Sequence, residues 1–241
     1  MQHQPPSSQS GSAFLIILLG IMMFAGLSYA LMQGGRTTEK TLTKDQLEIA
    51  AQEIIAYGDL LAKTVQTLKL RGCGDTQFDF SNIVWKKIDG TYTFASGHNP
   101  NAVSGCSVLK VGEGNAAAAF FPSNYFVAGS YAASQSQPGS SSALAMVVPN
   151  VGTSAADLVC HLPHLTKNIC LKINSLLGIP TRSNGDPPRA TANPNLLLYD
   201  GVYSTNSFTD TDSAFTGKTA FCALTNTSTA SYRYYKVFIV R

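Results

Sequence analysis

The stretch TKDQLEIAAQEIIAYGDLLAKTVQTLKLRGCG, residues 43–74, decides the fold of this chain. Apolar side chains recur in it at intervals of three and four, which is the period of one face of an α-helix. This face consists of Leu47, Ala50, Ile54, Tyr57, Leu61, Thr64 and Leu68, and the charged residues fall mostly elsewhere. The pattern predicts an amphipathic helix that packs on the rest of the chain.

The ends of this helix carry their own signals. Thr43 followed by Gln46 offers a capping box, in which each side chain bonds the other residue's backbone N–H. Gly72 and Gly74 supply the stop, because glycine ends helices readily. A start before Thr43 stays open, so the amphipathic helix is assigned to residues 36–71.

The chain upstream is apolar enough to cross a membrane. From Ala13 to Met32 no residue is charged. At a rise of about 1.5 Å per residue, this run gives about the 30 Å of a bilayer core. The sequence therefore predicts a retained transmembrane helix over residues 12–33, preceded by a leader or cytoplasmic tail over residues 1–11.

Two other interpretations of the apolar run stay open. Ser28-Tyr29-Ala30 is a small-x-small tripeptide of the kind that precedes signal-peptide cleavage. Alternatively, the glycine pair at 34–35 only bends the helix, and Phe14 to Leu70 forms one rod of about 85 Å. The mature N-terminus distinguishes these interpretations.

The sequence predicts that residues 72–241 form an α+β head built on an antiparallel sheet. Asp89-Gly90 and Asp200-Gly201 are hairpin turns between short β-prone segments. Further strands are expected within residues 120–132, 143–148 and 232–241, where aromatic and β-branched residues are frequent.

The segment from Thr153 to Gly178 is expected to interrupt these strands with a helix pair. Ser154 and Asp157 would cap the first helix, and Pro163 would separate it from the second. The expected role of the pair is to cover the sheet.

The five cysteines indicate disulfides in an oxidising compartment, since they are spaced singly and form no CxxC pair. A Cys160–Cys170 bridge would staple the two expected helices. Cys73 would pair with Cys106 or with Cys222, and one thiol would remain. The orientation in the membrane is a separate question. The first Lys and Arg residues follow the apolar run, and the positive-inside rule would therefore place the head in the cytoplasm. The cysteines favour the periplasm instead, because disulfides persist in oxidising compartments.

A zinc site is the competing interpretation of the same cysteines. Cys160, His161, His164 and Cys170 are all ligand types that zinc accepts. Adjacent residues on a helix point about 100° apart, however, and Pro163 restricts the backbone between the histidines. We therefore favour the disulfide and expect both histidines at the surface or at helix ends.

Composition and motifs argue against several other functions. The net charge of +3 is spread thinly, with no basic cluster denser than Lys86-Lys87, so nucleic acid is not an expected partner. The sequence has no nucleophile elbow, phosphate loop, HExxH helix or dinucleotide fingerprint. We expect no enzymatic activity, no metal and no cofactor.

The N-terminal architecture resembles that of type IV pilins and minor pseudopilins. The resemblance rests on the short polar leader ending at Gly11, the apolar helix, the amphipathic continuation to about residue 70 and the Gly/Ser-rich head. It implies processing between Gly11 and Ser12, storage in the bacterial inner membrane and assembly through the helices. The implied assembly residues are Phe14, Leu15, Ile16, Leu47, Ile54, Leu61 and Leu68.

The chain departs from the family at Ile16, where the family carries a glutamate, and its leader has no basic residue. A carboxylate in lipid is costly and is kept to contact a neighbouring subunit. The resemblance thus implies a minor or tip-like subunit with other pilin-like subunits or an assembly platform as partners. The alternatives are a single-pass anchored periplasmic domain without a filament, and a secreted metal-dependent enzyme that uses His161 and His164.

Overall fold

A computed structural model describes residues 42–80, 84–86, 92–94, 99–109, 116, 121–127, 142–192, 199–203, 207–210, 213–225 and 231–241. All of them belong to one unit, Leu42–Arg241. Within these ranges, no helix combines the length and the apolar character that a membrane crossing requires. The predicted transmembrane helix over residues 12–33 lies outside the described residues.

The unit is an α+β fold, as predicted. Its helices are α1 (Lys44–Leu70) and α2 (Lys167–Leu176), and Ser123–Tyr125 form a single 3-10 turn. The strands are β1 (Val84–Lys86), β2 (Tyr92–Phe94), β3 (Ser142–Met146), β4 (Asp157–Leu165), β5 (Arg189–Ala192), β6 (Phe208–Asp210), β7 (Ala220–Thr225) and β8 (Ser231–Ile239).

The main sheet has six strands in the order β3-β4-β8-β7-β5-β6, and β1 pairs with β2 in a separate hairpin. Every pairing in the main sheet is antiparallel except the one between β5 and β7, which is parallel. The sheet is therefore mixed, and the expectation of a purely antiparallel sheet is wrong. The β5 segment, Arg-Ala-Thr-Ala, is too short and polar to reveal this pairing in the sequence.

Both faces of the main sheet are buried. On the helix face, α1 and α2 pack against side chains such as Leu158, Leu162 and Phe238. On the opposite side, which we call the far face, Val159, Phe221 and Tyr235 belong to a cluster that includes Phe215 from the 213–217 turn and Ile179 from the chain after α2.

The prediction of a helix pair is wrong in its first half. Residues Asp157–Leu165 form the nine-residue strand β4, between β3 and β8. A strand buried on both faces reads as a continuous apolar run, and such a run has no period that separates it from a helix. Pro163 is accommodated where the β4–β8 register shifts, between Leu162 and Leu165.

The second helix of the pair is confirmed. Thr166 caps α2 by accepting a hydrogen bond from the Ile169 backbone N–H, and Gly178 follows its end with a φ of 66°. Ile169 and Ile173 are buried, whereas Leu176 is exposed. The apolar face of α2 covers the sheet.

The other predicted strands differ in outcome. Strands β1 and β2 pair antiparallel on either side of Asp89-Gly90, as the predicted hairpin requires, and the turn itself lies outside the described residues. The expected strands at residues 143–148 and 232–241 correspond to β3 and β8. The Asp200-Gly201 hairpin is not formed by the described residues 199–203, which lie outside strands, and residues 123–125 form the 3-10 turn instead of a strand.

Candidate functional site

Helix α1 is the part of the predicted assembly surface that the structure describes. It begins with the predicted capping box: the Thr43 N–H donates to Gln46 Oε1 at 3.0 Å, and the Gln46 N–H donates to Thr43 Oγ1 at 3.3 Å. It ends at Leu70, and Gly72 takes a φ of 97°, which suits glycine. The described residues thus place the start of α1 at Lys44, and residues 36–41 lie outside them.

The predicted apolar face of α1 packs on its own sheet. Ile54 and Leu61 are each 1% exposed, and Leu68 is fully buried, while Leu47 is partly buried. The N-terminal half of this inner face joins a cluster with α2, and the C-terminal half joins a cluster with β3 and β4. Burying each such side chain contributes about 1.5–3 kcal/mol. The inner face therefore holds the head together.

Gly58 lets α1 lie close to β8. A Cβ built at Gly58 would lie 2.8 Å from the Tyr234 hydroxyl and 3.0 Å from its ring. The ring of Tyr234 is buried under the helix, and burial raises the pKa of its hydroxyl. The contact fixes the height of the helix above the sheet.

Polar contacts fix the lateral position of α1. Lys172 of α2 pairs with Glu48 at 2.9 Å, and Lys236 of β8 pairs with Asp59 at 2.6 Å. The Tyr125 hydroxyl donates to Glu53 Oε2 at 2.8 Å. Burial and this bond to a carboxylate raise the pKa of Tyr125 to about 12. These contacts orient the helix rather than drive its packing, because exposed ion pairs are each worth about 0–1 kcal/mol.

A second side of α1, about 100° around the helix from the inner face, carries another apolar stripe. Ile49 is 53% exposed and Leu60 is 48% exposed, with exposed Ala56 between them. Spacings of seven and eleven residues return to within about 20° of the same helix direction. We call Ile49, Ala56 and Leu60 the outer stripe. It could receive an apolar surface, and it was missed in the sequence because the stronger inner stripe has the same period.

The disulfides tie both helices to their surroundings. Cys73, just after α1, is bonded to Cys106, which is one of the two predicted partners. Cys170 of α2 is bonded to Cys222 of β7. The predicted Cys160–Cys170 bridge is wrong, because Cys160 lies on strand β4 rather than on a helix beside α2. Cys160 is buried and is the cysteine outside both bridges.

Asn174 reinforces the second bridge. Its side-chain amide donates to the Cys222 carbonyl at 2.7 Å and accepts from the Cys222 N–H at 2.8 Å. Asn174 is fully buried. The amide thus satisfies both backbone groups of Cys222 from the helix side, as a neighbouring strand would.

The ligand set of the alternative zinc site is not assembled. Cys170 is bonded to Cys222 and therefore has no thiolate to offer a metal. The described residues contain no group of three or more His, Cys, Asp or Glu side chains that could hold a metal. His161 is buried on the far face rather than at the surface, which corrects the expectation for that residue. His164 is half-buried with a φ of 63°.

The remaining predicted site residues lie outside the described residues. They are the processing residues Gly11 and Ser12 and the first assembly residues Phe14, Leu15 and Ile16. Comparison with known proteins gives no assignment: no family model matches the chain, and neither a curated protein nor a solved structure matches it.

Proposed function

We propose that the chain is a membrane-anchored pilin-like subunit, a minor component of a type IV pilus or of a type II secretion-like filament. Residues 12–33 hold it in the bacterial inner membrane, and the helices mediate assembly. The head lies in the periplasm or in the filament. The subunit needs no cofactor, and its partners are other pilin-like subunits or an assembly platform.

The observation that carries this proposal is the outer stripe of α1. The inner face is already occupied by the sheet of the same chain, so Leu47, Ile54, Leu61 and Leu68 support the head instead of a neighbour. Ile49, Ala56 and Leu60 are exposed apolar positions that a second helix can reach. A helix with one face on its own head and an apolar stripe outside suits lateral packing between subunits.

Two disulfides support the proposed location of the head. Bridges of this kind persist in oxidising compartments such as the bacterial periplasm. The second candidate is a single-pass anchored periplasmic domain without a filament, favoured by the use of the inner face within the chain itself.

The assembly test is Leu60→Glu in the full chain. We expect this variant to keep its fold and to lose recruitment to a filament fraction released by shear, because a charge would enter the helix–helix contact. Val202→Glu is the matched control, since Val202 is 60% exposed and lies outside α1. Equal recruitment of both variants and the parent would favour the anchored domain.

The processing test is the intact mass of the membrane-fractionated protein. Cleavage between Gly11 and Ser12 is expected, with the apolar helix retained. A mature chain that starts at Leu31 would show that the apolar helix is discarded, and the pilin-like proposal would fail.

A further inference from the structure

His161 places an unpaired polar atom inside the far face of the sheet. In the β4–β8 register it lies opposite Tyr235, and residues directly opposite share one face. His161 is 7% exposed, and its Nδ1 has no hydrogen-bond partner in the structure. An unpaired buried polar atom costs about 1–3 kcal/mol, so its presence in a folded protein requires a physical reason.

Arg233 brings a positive charge to the same place. It lies two residues before Tyr235 on β8 and therefore on the same face. Its Nε is buried without a hydrogen-bond partner, and its guanidinium lies beside the Tyr235 hydroxyl. None of the described carboxylates forms an ion pair with it. A partly buried guanidinium with no carboxylate partner in the described part of the chain is unfavourable.

A register shift brings His164 to this position. Leu162 pairs with Tyr234 and Leu165 with Tyr232, so Pro163 and His164 together lie opposite Arg233. Such bulges change the direction of a side chain and are frequent beside functional sites. The φ of 63° at His164 is uncommon for a residue other than glycine. Since His164 is half-buried, this end of the cluster opens to solvent.

The three side chains act on one another electrostatically. Burial is the main cause that lowers the pKa of His161, to about 3, and the charge of Arg233 lowers it further. Burial and Arg233 also lower the pKa of His164. At neutral pH both imidazoles are thus uncharged, and each offers one N–H beside the permanent charge of Arg233.

We propose that His161, His164 and Arg233 form a binding site for an oxyanion, either a carboxylate or a phosphate. The guanidinium supplies the charge and a planar fork of donors that fits two anion oxygens. The imidazole N–H groups supply the remaining hydrogen bonds. The bound anion neutralises Arg233 and satisfies the buried nitrogens. The site is on β4 and β8, away from the outer stripe, and does not depend on the proposed function.

The test is a titration of the full chain in neutral detergent, in a chloride buffer free of oxyanions. Inorganic phosphate and acetate are added separately, and binding is followed by calorimetry and by the imidazole NMR signals of His161 and His164. We expect saturable binding of at least one anion and a rise of the His164 pKa on binding. Phosphate alone indicates a phosphate site, whereas acetate binding indicates carboxylate recognition. No saturable binding of either anion overturns the proposal.

Substitutions locate the binding. Arg233→Gln is expected to weaken it about tenfold or more, because it removes a charge-assisted hydrogen-bond donor. Arg71→Gln, which removes an equal charge from an exposed position after α1, is the control and should bind as the parent does. His164→Gln changes only a half-buried side chain, so it tests the location of the anion site if Arg233→Gln does not fold. Parent-like affinity in a folded Arg233→Gln or His164→Gln variant overturns the proposal.

Discussion

Leu60 and Leu61 are the same residue type at consecutive positions of α1, yet they lie on different faces, because neighbouring helix residues point about 100° apart. Leu61 is buried against β3 and β4, and Leu60 is half exposed on the outer stripe. The comparison separates the two faces of one helix: the inner face stabilises the head, and the outer stripe is exposed. Adjacent substitutions can therefore test stability and assembly independently.

The largest loss of stability is expected from a substitution on the inner face of α1. Leu61→Ala should lower the free energy of unfolding by about 2–5 kcal/mol, since it removes a buried side chain and leaves a cavity. Leu60→Ala should change it by about 0.5 kcal/mol or less, as is usual for exposed positions. Urea unfolding of both variants, followed by circular dichroism, measures the difference. Similar losses in the two variants would show that the two faces are not distinct.

A second pair of residues sharpens the same contrast on α2. Asn174→Ala should cost about 2 kcal/mol or more, because both backbone groups of Cys222 lose their partner in a buried position. Asn168 is exposed on the same helix and is the matched control. Asn168→Ala should leave the unfolding midpoint nearly unchanged. An equal shift for both variants would contradict the role given to Asn174.

The two faces also explain what the sequence could predict. Helix α1 was predictable with its cap because only one face is buried, which leaves a clear helical period. Strand β4 was not, because Leu158 and Val159 are both buried on opposite faces of the sheet and the period disappears. The hydrophobic pattern of a sequence therefore reveals a helix or a strand when one of its sides is buried and the other is exposed to solvent.

Long-range pairing accounts for the remaining differences. Cys170 and Cys222 are 52 residues apart in sequence, and nothing local to either cysteine specifies the other. The meeting of His161, His164 and Arg233 depends likewise on the register between β4 and β8. The histidines were noticed as potential ligands from their spacing. Arg233 could not be joined to them before the strand pairing was known.

The last prediction concerns the far face and the dependence of its stability on pH. The pKa of His161 is about 3 in the folded chain and 6.5 as an ordinary value. Between these values the unfolded chain binds more protons than the folded chain, so stability falls as the pH falls below about 6.5. The slope attributable to His161 approaches about 1.4 kcal/mol per pH unit and ends near pH 3.

Urea unfolding between pH 7 and pH 4 measures this slope, with His161→Gln as the variant that removes the titration. The parent should lose stability faster than the variant as the pH falls, whereas parallel curves would show that His161 is not buried in a neutral form. The measurement requires buffers without phosphate or acetate. An anion bound beside Arg233 would offset the charge that opposes protonation of His161, and would therefore reduce the slope of the parent while leaving that of the variant less affected.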